Sequence, residues 1–255
     1  MGALPLSETA SEVRSRLLAD ERDLTAGADD DLAYWQKVAG ASAGLIVEIG
    51  CGAGRILTAL GADARQLIGV DLDVAALAVA AERASAAEWI AADGRTWRRE
   101  GTAASLVVIG GDLLSLITVP DDLEALLRTA ALHCGPGGQV GIDATLMDPQ
   151  LFTDEAEGEW SVDLERADAD HGTVRRESRI TPDPLGRTNT VMLEIRHRLV
   201  GADGRLVALY PDRAPFAIRA WQPDEVRALA ASAALRVTSV GADDRLRWLL
   251  RSAHE

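Results

Sequence analysis

Residues 47–55 read VEIGCGAGR: an apolar run meets a carboxylate, and glycine then occupies positions 50, 52 and 54. Losing every second Cβ lets a ligand approach the backbone and permits positive φ. In an open parallel sheet that approach is closest at the first strand-to-helix turn. Two phosphate-binding patterns fail on spacing. The dinucleotide pattern G-x-G-x-x-G needs its third glycine at position 55, which is Arg55, and no Gly-Lys-Ser/Thr follows for a P-loop. E-x-G-x-G-x-G remains, with an acid ahead of the glycines. It suits a ligand bearing an ammonium group, which Glu48 would face directly or through water.

Outward from this loop, apolar runs of strand length (45–49, 67–71, 88–93, 105–110, 139–144) alternate with helical stretches such as 73–86 and 121–133. That alternation predicts an α/β fold, a doubly wound Rossmann-like, mostly parallel sheet. After Met147 the runs lengthen, alternate apolar with polar and are joined by Gly/Asp/Pro turns, the pattern of an inserted antiparallel β lobe. The expected division is N-terminal helices over 1–40 covering the cofactor site, a core over 41–150 and a substrate lobe over 151–215 that lies across the strand ends. A closing helix and two strands follow over 216–255. The ribbons suit either capping a pocket or pairing with a second copy in a homodimer.

Two further acids sharpen the ligand. Asp71 ends the second strand, where a carboxylate can accept both hydroxyls of a ribose. Asp93 ends the third strand, where it could accept from an exocyclic amine, with Leu72, Gly94 and Arg95 beside the two acids. Ammonium, ribose and adenine together describe S-adenosyl-L-methionine. Taken singly, an acid at a strand end is more often a cap or a turn residue.

The stretches DLAYWQKVAGASAGLIVEIGCGAGRILTAL, GVDLD, AADGR, VVIGGDLLSLI and LHCGPGGQVGID resemble the successive motifs of class I S-adenosylmethionine-dependent methyltransferases, in particular the small-molecule branch of glycine and sugar N-methyltransferases. The resemblance covers about 30–255 and is strongest over 31–143. It implies that Glu48, Gly50, Cys51, Gly52, Gly54 and Arg55 hold the methionyl part, Asp71 the ribose and Asp93 the adenine. It further implies that Tyr34 closes over the cofactor and that Gly110 to Asp112 run beside the sulfonium. The sequence departs from the family pattern at Ser105, usually an acid, at Asp112, often Asn, and at Cys134, usually Leu.

Methyl transfer from a sulfonium is an in-line displacement that needs alignment more than a strong base when the acceptor is a neutral amine. An oxygen or carbon acceptor would need deprotonation. His197 and Tyr210 are the catalytic candidates in that case, ahead of His133, His171 and His254. Trp35, Asp112, Leu113, Trp160 and Arg219 are the substrate candidates, with Trp221 as a further aromatic wall. A carboxylate at Asp112 could attract an amine, or hydrogen-bond its own backbone. The expected activity is methylation of a small biosynthetic metabolite at N or O. The alternatives are cyclisation of the cofactor or a pericyclic ring closure on the same cofactor, or a non-catalytic cofactor-binding partner.

Composition narrows the remaining classes. Forty acidic against 26 basic residues leave a net charge of −14, which repels nucleic acid and anionic membranes alike. Apolar runs are broken well short of a membrane span. The two cysteines lack disulfide-framework or metal spacing, and no metal is expected. A cytoplasmic protein is the simple reading.

Overall fold

A computed structural model describes residues 28–41, 44–61, 66–150, 158–168, 172–201, 203–211, 215–241 and 245–253. The helix expected within residues 1–27 lies outside them. The chain divides into two compact units, residues 147–220 and the remainder of the described core.

The core unit holds a seven-stranded sheet in the order β11-β12-β5-β4-β1-β2-β3. Its strands are β1 (Ile46–Ile49), β2 (Leu67–Asp71), β3 (Glu88–Ala91), β4 (Ala104–Ile109), β5 (Cys134–Thr145), β11 (Leu235–Val240) and β12 (Arg245–Ser252). β1 to β5 run parallel, and β11 and β12 close the sheet antiparallel. All four residues of β1 are buried, as expected of a strand covered on both faces.

Period-2 alternation sorts the side chains into two layers. Val47, Ile49, Val107, Ile109, Val140, Ile142, Leu246, Trp248 and Leu250 join the helices α5 (Pro120–His133) and α6 (Pro223–Ser232) in one core. Ile46, Leu106 and Val108 face α1 (Ala28–Gly40), α2 (Arg55–Leu60) and α3 (Val74–Arg83) in the other. Each fully buried Leu or Ile contributes about 1.5–3 kcal/mol to this packing.

The helices start where their chemistry allows. Asp73 caps α3 by accepting from Ala75 and Ala76. Pro120 opens α5 with Asp121 and Asp122 in its first turn. In α1, Asp31, Trp35, Val38 and Ala39 form the buried stripe, at helical spacing. A short helix, α4 (Leu113–Leu116), follows the loop after β4.

The second unit is a five-stranded antiparallel sheet ordered β10-β8-β7-β6, with β9 paired to β8. Its strands are β6 (Ser161–Asp168), β7 (Gly172–Pro182), β8 (Thr190–Val200), β9 (Leu206–Pro211) and β10 (Phe216–Arg219). The sequence places the lobe at 151–215, whereas β10 pairs with β8 from Phe216 opposite Leu193 to Arg219 opposite Thr190. FAIR is too short to show a period, so only pairing assigns it. Among the described residues no helix is long and apolar enough to cross a membrane.

Candidate functional site

The glycine loop folds as a series of backbone turns. Gly50 N–H and Cys51 N–H both donate to Val70 carbonyl, at 2.7 and 3.2 Å, and Gly54 N–H donates to Cys51 carbonyl at 2.9 Å. Gly50 and Gly54 each have φ +75°, a conformation that costs other residues about 1–2 kcal/mol. A Cβ on Gly54 would lie 2.6 Å from the Trp89 ring and 2.9 Å from Ala80 Cβ. Glycine is required there by packing as well as by φ.

Three acids reach the carboxyl edge of the adjacent strands β1, β2 and β3. Glu48 is 3% exposed and its Oε2 has no hydrogen-bond partner. Burial pushes its carboxyl up to about 8, against the pull of Arg55 and the Leu57 backbone; Asp71 and Asp31 push it further. Asp71 ties loop to strand: Oδ2 accepts from Gly52 N–H at 2.7 Å and Oδ1 from Asp73 N–H at 2.8 Å. A carboxylate offers about four acceptor sites, so lone pairs remain for two hydroxyls. Burial, with Glu48 and Asp71 nearby, pushes the Cys51 thiol far up, which leaves it inert as a nucleophile.

Asp93 differs from expectation. Arg95 grips it with Nε at 3.0 and 3.1 Å and Nη2 at 2.6 Å, and Arg95 Nη1 reaches Asp122 at 2.7 Å. The Arg95 hydrogen bonds hold the Asp93 carboxyl below its usual range. An exocyclic amine would compete with Arg95 for those lone pairs. Leu72, beyond the strand end, is 67% exposed and offers an apolar rim.

Other candidates move as well. Trp35 is a core residue, 0% exposed, with Gly110 and Gly141 so close that a Cβ on either would touch its ring. It walls no pocket. Tyr34 meets Trp35 edge-on at 5.0 Å and has the Arg247 guanidinium 5.2 Å from its ring centre. Trp221 is buried, and its indole N–H donates to the Leu114 and Ile117 carbonyls, at 2.9 Å each, which pins α4. Leu113 packs on the glycine loop: its Cδ2 lies 2.5 Å from where a Gly50 Cβ would stand. Asp112, at φ +62°, accepts from Thr145 N–H at 2.6 Å and Arg245 Nη2 at 3.2 Å. It is neither a free amine trap nor bonded to its own backbone.

In the antiparallel unit, Trp160 is overlaid by Arg196 at 3.7 Å and Arg179 at 4.9 Å, so its faces are taken by cation–π contacts. His197 is 1% exposed on β8, in register with Arg176 and Tyr210, and is no surface residue. Arg219 is 7% exposed. The side chain of Tyr210, and the whole of His171 and His254, lie outside the described residues. His133 ends α5, where it stacks on Trp97 at 4.0 Å and accepts from Arg99 N–H. Among the described residues no group of His, Cys, Asp and Glu is arranged to hold a metal.

Sequence reasoning missed Asp31, Asp143, Arg245 and Arg247. Asp31, in the first turn of α1, pairs with Arg55 at the start of α2. Asp143 is 0% exposed, accepts from Arg245 Nε at 2.7 Å and lies 3.5 Å from Arg247 Nε; its Oδ2 has no partner. Burial pushes the Asp143 carboxyl above its usual range, against the pull of the two arginines. A signal existed. Alternation in RLRWLL puts Arg245 and Arg247 opposite Leu246, Trp248 and Leu250, and in GIDAT it puts Asp143 opposite Ile142 and Ala144.

The order of strands, with a glycine loop after β1, defines a Rossmann-like methyltransferase fold. Solved structures share it. DesVI of Streptomyces venezuelae matches at 21% identity, 95% of this chain, 97% of that one and TM-score 0.71. CalS10, an amino pentose methyltransferase from Micromonospora echinaspora solved with S-adenosylmethionine bound, matches at 20%, 98%, 99% and 0.71. KedS8, a sugar N-methyltransferase from a Streptoalloteichus species, matches at 18%, 99%, 96% and 0.71. At such identities the likeness establishes the fold. No curated protein matches by sequence.

Residues 46–138 match the family model described as a methyltransferase domain. The core unit thus carries a methyltransferase domain over residues 46–138, and the residues at the loop fit S-adenosylmethionine as its cofactor. An orphaned buried carboxylate oxygen on Glu48 awaits an ammonium, and Asp71 keeps lone pairs for a diol.

Proposed function

We propose that the protein methylates a small biosynthetic metabolite, at an amine nitrogen in preference to oxygen. The observation that carries this reading is the buried Glu48 with its unpaired Oε2 beside the glycine loop, a setting that favours a cationic ligand. Glu48 and the loop would orient the methionyl part, and Asp71 the ribose. When bound, S-adenosylmethionine supplies an electrophilic methyl group, and the protein's task is alignment and exclusion of water. The similarity to amino pentose and sugar N-methyltransferases supports the choice of nitrogen. Calorimetry with S-adenosylhomocysteine tests the site: wild type binds, and Asp71→Ala binds at least about tenfold more weakly. Equal binding by both would refute it. Incubation with labelled donor and a panel of amines and alcohols identifies the acceptor atom, and mass spectrometry of the spent cofactor separates methyl transfer from cyclisation.

A further inference from the structure

At the carboxyl end of β5, where the antiparallel β12 begins, one guanidinium is held by three partners. Arg245 donates from Nε to Asp143 Oδ1 at 2.7 Å, from Nη1 to Thr145 Oγ1 at 2.8 Å and from Nη2 to Asp112 Oδ1 at 3.2 Å. Its side chain is 26% exposed and that of Asp112 32%, while Asp143 is wholly buried. A guanidinium carries five N–H groups, so two remain once these partners are served. Asp112 Oδ1 also accepts from Thr145 N–H, and Oδ2 of this partly exposed side chain keeps its lone pairs as an acceptor. Fixed donors at the start of β12 thus stand beside an acceptor in the loop after β4 that Thr145 and Arg245 hold in place.

The topology says which ligand meets them. The strand order turns at β1 and β4, and a ligand set at such a turn spans the edges on either side of it. The glycine loop, Glu48 and Asp71 occupy the β1–β2 side, so the β4–β5 side, where Thr145 ends β5 and Asp112 lies in the loop after β4, is left for the methyl acceptor. Charge then selects the acceptor's chemistry. Arg245 touches two carboxylates, and Arg247 lies beside the inner one; the cluster has no positive charge to spare for an anion. A hydroxyl both donates and accepts, and so matches an N–H next to a carboxylate oxygen.

We propose that Arg245, locked by Asp143, Thr145 and Asp112, forms with Asp112 the specificity subsite for a polyhydroxylated, non-anionic acceptor, gripping a hydroxyl pair while the amine faces the methyl donor. The inference rests on the methyltransferase reading above. Arg245 and Asp143 are positioning residues, and the hydroxyl contacts belong to Arg245 and Asp112.

The experiment uses the full chain saturated with S-adenosylhomocysteine, whose binding is first read by calorimetry. Ligand-observed NMR then titrates glucosamine, cyclohexylamine, which lacks hydroxyls, and glucuronate, which is hydroxylated but anionic. Glucosamine is expected to bind, and the other two at least about tenfold more weakly. Arg245→Gln lowers glucosamine affinity roughly tenfold. Asp112→Asn keeps a carbonyl for Thr145 and Arg245, tolerates positive φ and turns the Oδ2 acceptor into a donor. It folds even if Arg245→Gln does not, and it too loses glucosamine. Three results overturn the subsite: no glucosamine binding to the saturated wild type, cyclohexylamine or glucuronate binding as well as glucosamine, or undiminished binding to Asp112→Asn. Failure of S-adenosylhomocysteine to bind, read before any sugar is added, instead refutes the methyltransferase site on which the subsite rests.

Discussion

Arg55 Nη1 donates to Asp31 Oδ1 at 2.9 Å across 24 residues of chain, with both side chains only 10% exposed. The pair joins the first turn of α1 to the residue that follows the glycine loop. Removing one member leaves the other charge short of a carboxylate or guanidinium in a dry setting, which costs about 3 kcal/mol; replacing both by apolar groups costs less. Urea unfolding of Asp31→Ala, Arg55→Met and the double variant tests this. A double variant no more stable than Asp31→Ala would contradict the coupling.

Glu48 makes stability fall with pH. Its carboxyl is pushed up to about 8 by burial, against about 4.3 in an unfolded chain. The fold favours the protonated form, so the contribution is complete below pH 4 and is lost as pH rises through 8. The loss is of order 5 kcal/mol across that window. Glu48→Gln, measured by denaturation from pH 5 to 8.5, should flatten the slope and be the more stable protein at pH 8. Binding of S-adenosylhomocysteine to wild type near pH 7 should release a proton, read as binding heat that varies with buffer ionisation enthalpy.

His133 has the opposite sign. Burial, aided by Arg98, holds its imidazole below the ordinary value, although the Thr129 carbonyl pulls the other way. The neutral ring accepts from Arg99 N–H, so its contribution is present above pH 6.5 and is lost as pH falls through the native value. Thermal unfolding from pH 7 to 5 should show a decline that His133→Gln abolishes.

Gly54→Ala must place a methyl against Trp89 and Ala80 at positive φ. Strain and overpacking together cost about 2 kcal/mol or more. The variant should unfold at lower urea and bind S-adenosylhomocysteine more weakly, whereas Gly101→Ala, also at positive φ but with open space around it, should lose stability without losing binding.

Local chemistry made much of this protein legible. The run LIGVD is β2 to the residue, and Pro120 and Pro223 open the helices that the acids beside them announce. Glu48 and Asp71, the acids proposed for the cofactor, stand at the carboxyl ends of β1 and β2, where the apolar runs stop. Trp35 is core rather than a substrate wall, and Trp221 takes the core alternative, because a buried tryptophan and a pocket tryptophan carry the same apolar signature in a sequence. The partners of Asp93 and Asp112 are hidden in the sequence because nothing in it reveals that Arg95 folds back on one and that Arg245 reaches the other.

The sequence by itself determined the parallel core, the glycine turn and the parity that sends Arg245, Arg247 and Asp143 away from the apolar layer. These follow from spacing within a few residues, through steric limits on φ and the two-residue repeat of a strand. Only the tertiary structure decided that Arg245 meets Asp143 across 102 residues and Asp112 across 133. Those pairings depend on the antiparallel register of β12 on β5 and on the loop after β4 reaching the same edge. Both are settled by burial of the opposite, apolar face.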